Sequence, residues 1–216
     1  MVTFMIYAKA ASLAEAYREM MLPYCDRAMV AGSIRRGKTE VKDIELVCAP
    51  KLVAGADPEK LFGEGFRNLL YEWALDSGIV WIKPGTDDTI EWPIKPDGLY
   101  WRGVITAGQD AIKLDVFLTT VENFGTTLLI RTGSSRFNQA LMSHARMIHR
   151  PCVNNHFHHA GEPVEFEEEY DVFDFLGLEY VEPNQRVDGN VLRSKRQTAR
   201  ARRILGKGPA RWPLTS

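Results

Sequence analysis

The apolar and polar positions of the chain sort into strand-like and helix-like stretches. Residues 1–7 are apolar and β-leaning, without a clear place. Across residues 11–24, Leu13, Ala16, Tyr17, Met20 and Met21 share one stripe, the pattern of a helix packed on a core. Residues 27–34 and 43–49 follow as strands, and Pro50 ends the second. Asp57 followed by Pro58 has the form of a helix start, which predicts a helix to about residue 76, stopped by Gly78. Residues 79–83 read as a strand, and residues 84–96, with Gly85, Asp87, Asp88 and Pro93, as a turn-rich excursion. Residues 99–106 and 111–119 pair as a hairpin.

From residue 121 to 129 the pattern turns helical, and Thr132-Gly133-Ser134 breaks it. Ser134 is placed to cap a second helix running to about residue 149, ended by Pro151. A small hairpin over residues 153–166 and a short helix over 170–176, stopped by Gly177, complete the pattern. Mixed strands with helices between and after them predict an α+β fold.

Composition adds little until charge is mapped. The chain has 216 residues, 45% hydrophobic and 25% charged, which suits a globular protein of one or two small domains. The net charge of -1 hides an asymmetry. Residues 162–174 are acidic, whereas residues 193–211 hold Arg193, Lys195, Arg196, Arg200, Arg202, Arg203, Lys207 and Arg211 with no acid. Such a tail attracts nucleic acid or stays flexible. Three scattered cysteines, Cys25, Cys48 and Cys152, do not make a disulfide framework and fit a reducing, cytoplasmic setting. No apolar run reaches membrane-spanning length, and the N-terminus lacks a signal-peptide pattern, so no membrane partner is expected.

The candidate chemistry sits in residues 31–45. A strand turns sharply at Gly32 and Ser33, passes Arg35 and Arg36, and re-enters as a strand carrying Asp43 and Glu45. Residues two apart on a strand share a face. Two carboxylates on one face, beside a glycine-serine turn and two arginines, suit a metal-nucleotide site. The turn offers backbone N–H groups to phosphate, the arginines add bidentate charge, and the carboxylates hold a hard cation. A charged loop on a solvated hairpin would have the same spacing. Asp115 strengthens the first reading: flanked by Leu114, Val116 and Phe117, it is costly to bury unless something pairs with it, and a metal shared with Asp43 and Glu45 would do so.

These residues, with Thr132-Gly133-Ser134, Phe137-Asn138, Gly161-Glu162-Pro163 and the acidic-aromatic run 169–180, resemble the family X DNA polymerases, the DNA polymerase beta-like branch of the nucleotidyltransferases. The resemblance spans about residues 28–186. It implies a palm over residues 1–119 with a mixed sheet flanked by helices. A C-terminal α/β thumb subdomain that closes over the nascent base pair would span 120–186, and a basic tail 187–216. It further implies that Asp43 and Glu45 bridge two magnesium ions, with manganese as a substitute, while Asp115 binds the ion that activates the primer 3′-hydroxyl. The nucleotide-binding set it implies is Gly32, Ser33, Arg36, Lys42, Gly133 and Asn138, and the tail residues Arg193, Lys195, Arg196, Arg200, Arg202 and Arg203 become the nucleic-acid contacts. The expected activity is addition of nucleotides from a triphosphate to a nucleic-acid 3′-hydroxyl, in short-gap DNA repair. The expected partners are a nucleoside triphosphate, primer-template or gapped DNA and an accessory protein, and the chain is expected to be a monomer.

The departures from the family shape the alternatives. Glu45 replaces an aspartate, Lys42 a glycine, Ile130 and Arg131 an aromatic pair that excludes ribose, and Met142 an arginine that supports the template. About 27 residues precede the first strand, too few for the family's lyase and helix-hairpin-helix domains, so a minimal form is expected. A template-independent transferase acting on RNA, protein or a small molecule, and a binding module without catalysis, are the competing functions. Cys152, His156, His158 and His159 lack a zinc-ligand spacing, and Trp81, Trp92 and Trp101 are expected in the core.

Overall fold

The computed structural model describes residues 5–56, 64–83, 91–107 and 110–195. In chain order the first elements are β1 (Met5–Ile6), α1 (Tyr7–Met21), β2 (Cys25–Val30), α2 (Gly32–Arg35), β3 (Glu40–Val41) and β4 (Asp43–Pro50). They are followed by β5 (Leu52–Ala56), β6 (Glu64–Asn68), α3 (Leu69–Asp76), β7 (Val80–Ile82), β8 (Tyr100–Ala107) and β9 (Asp110–Leu118). The last are α4 (Phe124–Thr132), α5 (Ser135–Met147), β10 (Cys152–Val153), β11 (His156–His159), β12 (Glu162–Val164) and α6 (Glu169–Phe175). The fold is α+β. Among the described residues no helix is long and apolar enough to cross a membrane.

A five-stranded sheet in the order β2-β4-β9-β8-β7 forms the centre. Its β4–β9 pair is parallel and the other pairs are antiparallel. Alternation gives the sheet two different faces. Ala28, Ile44, Leu46, Cys48, Leu114, Val116 and Leu118 pack in one core with Ala10, Ala14 and Met21 of α1 and Leu70 and Ala74 of α3. The opposite face offers Val47, Ala49 and Phe117, which pack with Phe124 and Leu128 of α4. Leu129 of α4 reaches a third cluster, with Phe137, Leu141 and Ala145 of α5, Phe157 of β11, and Val172 and Phe173 of α6. Phe124, Phe137, Phe157 and Phe173 are fully buried, and each contributes roughly 1.5–3 kcal/mol of transfer free energy. Helix α4 is therefore the element that ties the sheet to everything after it.

Several elements differ from the sequence pattern. The strand expected over 27–34 leaves the sheet at Ala31, because Gly32 adopts φ +62° and opens a helical turn. The helix expected over 57–76 is confined to α3, where Asn68 caps the start by accepting from the Tyr71 N–H at 3.0 Å. The chain before it forms the hairpin β5–β6, and Asp57 and Pro58 lie outside the described residues. The 99–119 hairpin and the cap at Ser134, which accepts from the Phe137 N–H at 3.3 Å, are present as the pattern indicated. Trp81 and Trp101 are buried, whereas Trp92 is exposed, with Lys83 over its ring.

Candidate active site

The acids are positioned by strand register. In the parallel β4–β9 pair, Glu45 lies beside Asp115, and Asp43 precedes Glu45 by two residues. Matched positions in paired strands share a face, so all three carboxylates leave the sheet on one side. Further along these strands the same side is Val47, Ala49 and Phe117, covered by α4. One face thus changes from acidic to apolar along its length.

Loop α2 crosses the acidic end. The Ala31 N–H donates to the Glu45 carbonyl at 2.8 Å, which ties the loop to β4. A β-carbon on Gly32 would lie 1.7 Å from Glu45 Oε2, so the carboxylate occupies the space a side chain would need. Beyond it, Ser33 Oγ and Arg36 Nε are buried without hydrogen-bond partners, while another nitrogen of Arg36 donates to the Thr132 carbonyl. Orphaned buried polar groups are uncommon and call for a partner. Ser33, Arg36, Lys38, Lys42, Asp43 and Glu45 line a cavity of about 420 Å³. Arg36 and Glu45 also line a second cavity of about 660 Å³, with Arg131, Gly133, Asn138 and Met142. Gly133 has φ +44°, and Asn138 donates to the Ile130 carbonyl at 2.7 Å while its Oδ1 lacks a partner. The structure brings Gly32, Ser33, Arg36, Lys42, Asp43 and Glu45 together, with Gly133 and Asn138 across Arg36.

Burial, reinforced by the charges of Asp43 and Asp115, pushes the Glu45 carboxyl up to about 7 against the pull of Arg36 and Arg131. Burial and the Asp115 charge likewise raise Asp43. Asp115, 3% exposed, is held differently. Arg102 donates to its two oxygens at 2.6 and 2.7 Å, and the Tyr100 hydroxyl donates at 2.8 Å. Among the described residues no three His, Cys, Asp or Glu side chains lie close enough together to hold a metal ion. The donor set fits a hard cation by its chemistry, being entirely carboxylate oxygen, and the raised Glu45 and Asp43 mark negative charge in need of neutralisation.

The pH dependence follows. A carboxyl whose folded pKa is raised imposes no penalty below its unfolded value and destabilises progressively until pH passes the folded value. Chelator-treated protein is therefore expected to lose stability as pH rises from about 4.5 to 7, by up to about 3 kcal/mol from Glu45. Urea titrations across this range should show the slope, and Glu45→Gln should flatten it. Equal slopes in the two proteins would contradict the assignment.

Sequence reasoning missed Arg102 and Tyr100. The signal was available: in a hairpin with Ala107 opposite Asp110, counting back places Arg102 opposite Asp115. Arg131, singled out only as a replacement for an aromatic residue, has its guanidinium 4.0 Å from the Phe117 ring centroid, and its charge reaches Glu45. Arg35 corrects an expectation. It is absent from the lining of the cavity that holds Ser33 and Arg36 and instead grips Glu169 of α6 with two bonds of 2.7 Å, and Glu169 also accepts from Arg186 at 2.8 Å. Of the tail residues, Arg193 donates to the carbonyls of Asn190 and Leu192, and Lys195 pairs with Asp174. Arg196, Arg200, Arg202 and Arg203 lie outside the described residues.

Comparison with known proteins adds one finding. Residues 127–187 match the family model of the DNA polymerase beta thumb. The matched stretch begins within α4, contains Gly133, Asn138, Glu169 and Arg186, and follows the strands that carry the three acids. No curated protein matches the chain. The thumb match supports a relationship to the DNA polymerase beta-like proteins.

Proposed function

We propose that the chain is a DNA polymerase X-like nucleotidyltransferase that adds nucleotides from a triphosphate to a nucleic-acid 3′-hydroxyl, filling short gaps in DNA. The observation that carries this reading is the β4–β9 register, which sets Glu45 against Asp115 with Asp43 alongside, next to the unpartnered Ser33 Oγ and Arg36 Nε. The thumb-like stretch beyond α4 supports it. Under this reading residues 1–119 are the palm, 120–186 the nucleotide-closing subdomain and 187–216 a basic tail that adds phosphate contacts.

The residues divide the work. Ser33 Oγ, Arg36 and Lys42 bind the triphosphate, with the Gly32 turn letting the backbone approach it. Gly133 and Asn138 orient the sugar and base. Asp43, Glu45 and Asp115 would hold two magnesium ions, or manganese. Bound there, the cations supply Lewis-acid activation of the 3′-hydroxyl and neutralise charge on the leaving pyrophosphate. Primer-template or gapped DNA is the partner, and the chain works as a monomer, with an accessory protein supplying further grip. A template-independent transferase is the second reading, favoured by Met142 on the wall of the larger cavity. Ile130 and Arg131, in place of the aromatic pair that excludes ribose in the family, weaken discrimination against ribonucleotides.

Labelled primer extension tests these readings on a gapped duplex, a blunt duplex and a single strand, with magnesium or manganese and each triphosphate. Template-matched addition on the gap is the expected result. Untemplated addition selects the second reading, and no incorporation on any substrate removes both.

A further inference from the structure

Asp115 is the most committed acid of the cluster. Its Oδ1 accepts from Tyr100 Oη and Arg102 Nε, and its Oδ2 accepts from Arg102 Nη2. A carboxylate offers about four lone-pair positions, so three are filled. The pair is sheltered, with the Arg102 side chain 19% and the Asp115 side chain 5% exposed. Arg102 stands directly opposite Asp115 in the β8–β9 register, so the backbone itself holds the guanidinium at the acid. The Asp43 charge reaches the same guanidinium.

We infer that Arg102 is a resident counter-ion of the carboxylate cluster, a positioning residue that occupies Asp115 until a divalent cation displaces it. The inference rests on Asp43, Glu45 and Asp115 being the cation site, and it explains how three sheltered acids coexist in the cation-free protein. Arg102 neutralises Asp115 by engaging both of its oxygens. Because the binding-competent arrangement is only a fraction of the population, the apparent cation affinity is reduced by that fraction. Removing Arg102 lifts this competition. A purely structural role would instead weaken the site, because the acids would lose the side chain that arranges them.

The test is manganese binding by the full chain, read from the electron paramagnetic resonance signal of free Mn²⁺ at pH 7.5. Arg102→Met, checked for folding by circular dichroism, is expected to bind about tenfold more tightly than wild type. Binding by wild type with equal or weaker binding by folded Arg102→Met overturns the inference and leaves the cation site standing. Binding by neither removes the site and the inference together. Should Arg102→Met fail to fold, the Arg102 Nε–H resonance of the wild type decides. Saturating Mg²⁺ is expected to shift that resonance and speed its exchange with water, and an unchanged resonance overturns the inference.

Discussion

Glu169→Gln is expected to destabilise the protein by about 3–5 kcal/mol. The reason is what it leaves behind. Arg186 has no exposed side-chain surface, and its guanidinium lies among the rings of Phe137, Phe173 and Tyr180. Arg35 donates to Glu169 and to Thr132 Oγ1 at 2.7 Å. Two cations share one buried carboxylate, and removing its charge strands both of them. Burial alone would raise the Glu169 carboxyl, but the hydrogen bonds and charges of Arg35 and Arg186 outweigh it and hold it below the usual range. The sign is then fixed. The stabilisation is complete above the unfolded carboxyl pKa near 4.5 and disappears as pH falls through the lower folded value. Urea denaturation at pH 7 should show the loss, and thermal midpoints should fall by about 2–4 °C per kcal/mol. Wild type should also weaken more steeply than the variant on acidification below pH 4.5. A loss under about 1 kcal/mol would show the triad to be dispensable.

Under the proposed function, Asp115→Ala is expected to lower nucleotide transfer at least ~10³-fold while triphosphate binding partly survives. The two effects separate because different residues are responsible. Ser33, Arg36 and Lys42 line a cavity with Asp43 and Glu45 that Asp115 does not line. Single-turnover incorporation on a gapped duplex measures the first effect, and fluorescent-nucleotide binding measures the second. Unchanged turnover would refute the assigned role. Equal loss of binding and turnover would show that Asp115 organises the nucleotide loop rather than the chemistry.

The parts legible in the sequence are those set by local pattern. The apolar runs that became β4 and β9 announced themselves through branched and aromatic residues, and Ser134 marked the start of α5 by cap chemistry alone. Asp43, Glu45 and Asp115 could be nominated because acids in apolar strands are conspicuous. The β5–β6 hairpin was not legible, since Asp57-Pro58 has the form of a helix start, whereas residues 64–68 pair as a strand with residues 52–56. The Arg35–Glu169–Arg186 triad was not legible either. Its members are 134 and 17 residues apart, and no periodicity links them. Arg102 is intermediate: hairpin arithmetic finds its position, but only the folded pair shows that it claims both oxygens of Asp115.

The missing side chain at Gly32 has a consequence for how this loop can change. A methyl group there and the carboxylate of Glu45 would claim the same volume. Gly32 is therefore fixed twice over, by the volume of a side chain 13 residues away and by its own φ of +62°, which strains any other residue. Glu45 can be shortened with Gly32 unchanged, but bulk cannot enter at Gly32 while the Glu45 carboxylate keeps its place.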